Sequence, residues 1–229
     1  KEHIDNSAKW TTDDYLEMKF KDIKEYFPSP IKFTNLAQKA GINKDSVVVF
    51  YSTGIDHKDE ARAAEAMLIS QYYGLEKVAV LNGGLAAWKK AGNQVSNAVS
   101  NPAKGNFTIS KFNPVIATLL DVDAAVELKK VTIVDARYKK HYDGTDDDKR
   151  LVQHGRIEGA LSIPIDTLYT TTDGIVYFKS AEELKNLFKT AGVDSTKPLI
   201  AYCNTGQFAS GLWFASKYLV GIKDSKDYK

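Results

Sequence analysis

The chain has 229 residues, 43% of them apolar, and a net charge of +2 from 31 basic and 29 acidic side chains. At about 100–200 residues per domain, that length allows one large domain or two small ones, and the composition excludes collagen, a disordered tail and a disulfide scaffold. Balanced charge leaves no footprint for nucleic acid or anionic lipid, and no run approaches the ~18 apolar residues of a membrane span.

Residues 1–10 hold no apolar core, so no secretory signal is visible there. Residues 47–50 form a short β-branched run ending at Tyr51, Ser52, Thr53 and Gly54. A helix is predicted over 60–73, a strand over 78–81, then Asn82-Gly83-Gly84 and a helix around Trp88. The stretch 96–114 is rich in Asn and Ser, has two Pro and one Gly, and lacks an apolar period, so it reads as a connector. Beyond it come a helical composition over 121–130 and a strand over 131–134. Residues 181–191 form a helix with Leu184, Leu187 and Phe188 on one face, Ser180 as N-cap and Gly192 as stop. Pro198 opens a strand over 199–202, and a last helix runs over 208–220. Continuous apolar strands alternating with helices imply an α/β fold whose parallel strands are buried on both faces.

The chain repeats itself. Ala40-Gly41-Ile42-Asn43 recurs as Ala191-Gly192-Val193-Asp194 at an offset of 151, and the following strands match at 152. Upstream, residues 3–7 match 156–160 at an offset of 153. The domains are therefore 1–96 and 115–229, joined by a linker over 97–114. This alignment sets Tyr51 opposite Cys203 and Ser52 opposite Asn204. It also leaves the first unit without a first strand and the second without a last helix.

Cys203 is the one cysteine, so neither an internal disulfide nor a cysteine zinc site can form. It stands between a strand and a helix, at the carboxyl end where open parallel sheets bind ligands. The backbone N–H groups of the following loop, aided by the helix dipole, would stabilise a thiolate and lower its pKa from ~8.5. Asp135 ends the first strand of the second unit, and Arg137 beside it is expected to form an ion pair shaping the wall of the site. Asp146-Asp147-Asp148 lacks the interleaved spacing of a calcium loop and reads as a solvated turn, so no metal is expected. Ser52 as a hydrolase nucleophile has no placed His–Asp pair.

Val134-Asp135-Ala136-Arg137, Tyr142 with Gly144, residues 155–160 and Tyr202-Cys203-Asn204-Thr205-Gly206 together resemble the rhodanese superfamily, as does Leu81-Asn82-Gly83-Gly84 with Trp88. The resemblance implies two rhodanese-like α/β domains, each a mostly parallel twisted sheet flanked by helices, the first inactive and the second catalytic. It carries the nucleophile to Cys203, which would take sulfane sulfur as a persulfide without a cofactor. Asn204, Thr205, Gly206, Gln207 and Phe208 become the substrate loop. His141 falls where many family members place an anion-binding arginine. Partners would be a small-molecule sulfur donor such as thiosulfate and a thiol or cyanide acceptor, served by a monomer. Alternatives are a 3-mercaptopyruvate sulfurtransferase or a non-catalytic sulfur carrier. Related phosphatases close the loop with an arginine, and none lies between Cys203 and Lys229. The Cys-Asn-Thr-Gly loop is similar to that of exported bacterial sulfurtransferases, which suggests the periplasm, with the cytoplasm as alternative.

Overall fold

The computed structural model describes residues 2–20, 23–147, 149 and 152–223. Asp148, Arg150 and the end of the chain from 224 lie outside them. The chain forms two compact units, Lys1–Asn113 and Pro114–Lys229. Among the described residues no helix is long and apolar enough to cross a membrane.

Unit one opens with β1 (His3–Ile4), the short helix α1 (Thr12–Tyr15) and a hairpin of β2 (Glu17–Phe20) and β3 (Ile23–Tyr26). Helix α2 (Pro30–Lys39) starts on Ser29, whose hydroxyl accepts the Lys32 N–H. Then come β4 (Val48–Phe50), α3 (His57–Tyr72), β5 (Val78–Val80), α4 (Gly84–Lys90) and β6 (Val95–Ser96). Strands β4 and β5 pair in parallel with Val49 opposite Ala79, and β1 pairs antiparallel with β6.

Helix α3 is buried nearly all round, glutamates included. Glu65 accepts from Arg62 at 2.8 Å and from the Tyr15 hydroxyl at 3.1 Å, while Arg62 also holds Glu25 at 3.1 Å. A buried charge needs such partners. Residues 97–113 carry no helix or strand, yet Phe107 is buried and its N–H bonds the Ile42 carbonyl at 3.1 Å. Gly105 passes so close to that residue that a Cβ would lie 2.0 Å from the Ile42 carbonyl oxygen.

Unit two contains α5 (Leu119–Leu128), β7 (Thr132–Asp135), α6 (Lys139–Asp143), β8 (Leu161–Ser162), a 3₁₀ turn at Ile165–Leu168, and the hairpin β9 (Tyr169–Thr172) and β10 (Ile175–Phe178). It ends with α7 (Ala181–Thr190), β11 (Leu199–Tyr202), α8 (Gln207–Phe214) and a π-helical stretch, Ala215–Val220. Strands run β11–β7–β8, all parallel, with Tyr202 opposite Asp135. Their carboxyl ends therefore share one edge, and Cys203 follows directly. Thr118 caps α5 and Ser180 caps α7, each closing a capping box with an acidic residue three positions on.

One side-chain bond recurs in both units. Tyr202 accepts the Ile157 N–H at 3.3 Å, and Tyr51 accepts the Ile4 N–H at 3.2 Å. The tyrosines are thus equivalent, at the offset of 151 rather than 152, and Ser52, not Tyr51, stands in the place of Cys203. The inserted residue of the repeat falls later in the loop. In the same register Val49 matches Ile200. Ile200 lies 5% exposed against Ala125 of α5, whereas Val49 is 53% exposed. The expectation that every parallel strand is buried on both faces fails at β4, whose Val49 is open where its counterpart Ile200 packs against α5. The predicted last helix also departs from the α form after Phe214, and its wider turns bring Tyr218 within 5.4 Å of Trp213 and 5.5 Å of Phe214.

Candidate active site

Cys203 follows the carboxyl end of β11 and precedes α8. Its Sγ accepts the Gly206 N–H at 3.1 Å and the Ala209 N–H at 3.4 Å. Gly206 is the N-cap of α8 with φ of +101°, a left-handed conformation that a side chain would strain. That kink turns the N–H groups of the loop back onto the sulfur. Asn204 and Thr205 are exposed, and Gln207 and Phe208 half-buried. The Phe208 ring meets Tyr138 edge-on, with centroids 5.4 Å apart.

The thiol does not titrate as the sequence suggests. Burial pushes Cys203 upward, and the N–H groups of Ala209, Thr205, Gly206 and Phe208 pull it down by less. The cradle exists, but taking the sulfur out of water outweighs it. The residue as a whole is partly exposed, while its sulfur is desolvated and held by backbone N–H groups.

Behind the cysteine, Asp135 and Arg137 are bound at close quarters. Arg137 Nε donates to both carboxylate oxygens at 3.0 and 3.1 Å, and Nη2 donates to Oδ2 at 2.7 Å. The Arg137 side chain is 9% exposed and that of Asp135 0%. Asp135 also accepts the Arg137 backbone N–H at 2.9 Å and the Tyr202 hydroxyl at 2.7 Å. Nη2 reaches on to the Gly155 carbonyl at 2.6 Å. Arg137 thus faces its carboxylate and the 155–157 loop, its pKa raised by the Asp135 hydrogen bonds and charge.

His141 lies on α6, mostly buried, with Nδ1 3.3 Å from the Asp146 carboxylate. His154 approaches the other oxygen of Asp146 at 3.2 Å. Asp146 is buried, so the expected solvated turn is instead a carboxylate set between two imidazoles. Among the described residues no group of three ligands could hold a metal ion.

In unit one the place of Cys203 is filled by a closed-off serine. The Ser52 hydroxyl donates to Glu60 at 2.5 Å and accepts the Gly54 N–H at 3.0 Å, and the residue is 7% exposed. A hydroxyl there cannot carry a persulfide. Sequence reasoning gave Tyr202 no role, although Tyr202 ends β11 and Tyr51 directly follows the matching β4.

The rhodanese-like domain model matches this chain twice, over residues 1–91 and 118–229. Thiosulfate sulfurtransferase from Gallus gallus is 32% identical over 201 residues, which is 88% of this chain and 67% of that protein. The chain thus spans about two thirds of that relative's length. The sulfur carrier protein TtuD from Thermus thermophilus is 29% identical over 88% of this chain and 72% of its own. The crystal structure of SseA from Escherichia coli, a 3-mercaptopyruvate sulfotransferase with the rhodanese fold, superposes with a TM-score of 0.80 at 25% identity. That match covers 98% of this chain and 82% of the other.

Proposed function

The chain belongs to the rhodanese family, carrying its domain twice, and from that premise we propose that it is a sulfurtransferase working through a persulfide on Cys203. The single observation that carries this reading is the sulfur of Cys203 held by two backbone N–H groups at a strand-to-helix loop. With thiosulfate as donor, the thiolate attacks the outer sulfur. The bond between that sulfur and the sulfonate breaks, and its electron pair leaves with sulfite. Cyanide or a thiolate acceptor then takes the outer sulfur, and the pair returns to Cys203 as thiolate. The N–H groups of the loop would hold negative charge on either sulfur through both steps.

After incubation with thiosulfate, intact mass should show one added sulfur atom, absent in Cys203→Ser. An unchanged mass with thiosulfate, 3-mercaptopyruvate and polysulfide alike would defeat the reading. The name of the Thermus relative raises the carrier alternative, in which the persulfide forms but cyanide does not turn it over. Because burial raises the thiol, persulfide formation at limiting donor should accelerate with pH, with its midpoint above the ~8.5 of a free cysteine. A midpoint near 7 would show that the cradle outweighs burial.

The finer reading is that His141 supplies positive potential to an anionic donor. His141→Arg should then speed persulfide formation by thiosulfate and His141→Ala slow it, in single turnovers. Equal rates for all three chains would remove His141 from the site.

A further inference from the structure

Tyr202 is held at three points just before the reacting cysteine. Its carbonyl accepts the Ala136 N–H at 2.9 Å. Its ring lies under the Arg137 guanidinium, 5.4 Å from the centroid. Its hydroxyl donates to Asp135 at 2.7 Å and accepts the Ile157 N–H at 3.3 Å. That one oxygen joins three segments: the end of β7, the 155–157 loop and the end of β11. We propose that Tyr202 is a positioning residue whose hydroxyl, anchored on Asp135, aims the Cys203 sulfur into its N–H cradle; this rests on the persulfide reading above.

The direction of the sulfur is set by the backbone at 202 and 203, so fixing Tyr202 fixes the cradle's occupant. The contacts it must preserve are the N–H donors of Gly206 at 3.1 Å and Ala209 at 3.4 Å. Burial and the Asp135 charge push the Tyr202 hydroxyl far above its ordinary value, so it remains a donor at every working pH. Unit one shows what the frame needs without the chemistry. There Tyr51 makes the same isoleucine bond but meets the Ser7 hydroxyl at 2.7 Å instead of a carboxylate.

The test compares Tyr202→Phe with Tyr51→Phe in the full chain. Iodoacetamide alkylation of Cys203 is followed against pH, and persulfide formation by thiosulfate in single turnovers. Tyr202→Phe should raise the alkylation midpoint by about half a pH unit or more, because thiolate loses donors. It should slow persulfide formation roughly fivefold, the worth of one hydrogen bond. Tyr51→Phe should leave both unchanged. An unmoved midpoint in Tyr202→Phe, with lowered melting alone, would reduce the tyrosine to a structural tie and overturn the proposal. So would a downward shift, or an equal shift in both variants. Alkylation needs no sulfur donor. If the wild-type chain forms no persulfide the function fails, while the alkylation comparison still decides the role of Tyr202.

Discussion

Arg137→Ala should lower the unfolding free energy of unit two by about 3 kcal/mol, the low end for removing one partner of a buried ion pair. The low end applies because Asp135 is not abandoned. It keeps the backbone N–H of residue 137 at 2.9 Å and the Tyr202 hydroxyl at 2.7 Å. What it loses is a cation gripping both oxygens from within a pocket where Asp135 itself is fully buried. The Gly155 carbonyl, bonded to Nη2 at 2.6 Å, loses its donor as well. Arg137→Lys should recover less than half of the loss, since an ammonium cannot reproduce the fork that meets Asp135 and Gly155 together. Amide exchange in β7 and β11 reads the effect within unit two. A loss below about 1 kcal/mol would place this pair with ordinary surface ion pairs.

That pair was legible in the sequence as two residues, Asp135 and Arg137, at the end of a strand. Its third member was not. Tyr202 ends β11 and Tyr51 directly follows β4, but an offset that changes along the chain leaves the inserted residue unplaced. Only the Ile4–Tyr51 and Ile157–Tyr202 bonds set the register. The alternation of strands and helices was readable because apolar runs and caps such as Ser180 are local signals. The hairpin at β9–β10 was not read, although Asp173-Gly174, both at positive φ as a tight hairpin turn requires, is a local signal for it. Exposure of Val49 was not readable, since a β-branched run looks the same whether or not a helix covers it. The thiol direction was misread for a related reason: N–H donors follow from a loop's position, whereas burial depends on everything packed around it.

The closed serine in unit one carries the second large effect, a proton linkage at Glu60. Glu60 is fully buried. One carboxylate oxygen accepts from Ser52, and the other has no partner among the described residues. Burial, with Asp59 adding repulsion and the Ser52 bond opposing, pushes its pKa from 4.5 up to about 7. A folded-state value above the unfolded one means that folding favours the protonated form. The stabilisation is complete below about 4.5, shrinks as pH rises, and is gone above about 7. At 1.36 kcal/mol per unit, the span amounts to about 3 kcal/mol. Glu60→Gln keeps an acceptor for Ser52 and cannot ionise, so it should remove this slope. Its unpaired amide N–H groups cost something, but equally at every pH. The stability difference between the two chains should therefore swing by about 2–3 kcal/mol toward the variant between pH 5 and pH 8.5. Amide exchange in α3, compared between the chains at each pH, measures it. Parallel stability curves would mean that Glu60 is ionised and solvated, and that the Ser52 pocket is open to water.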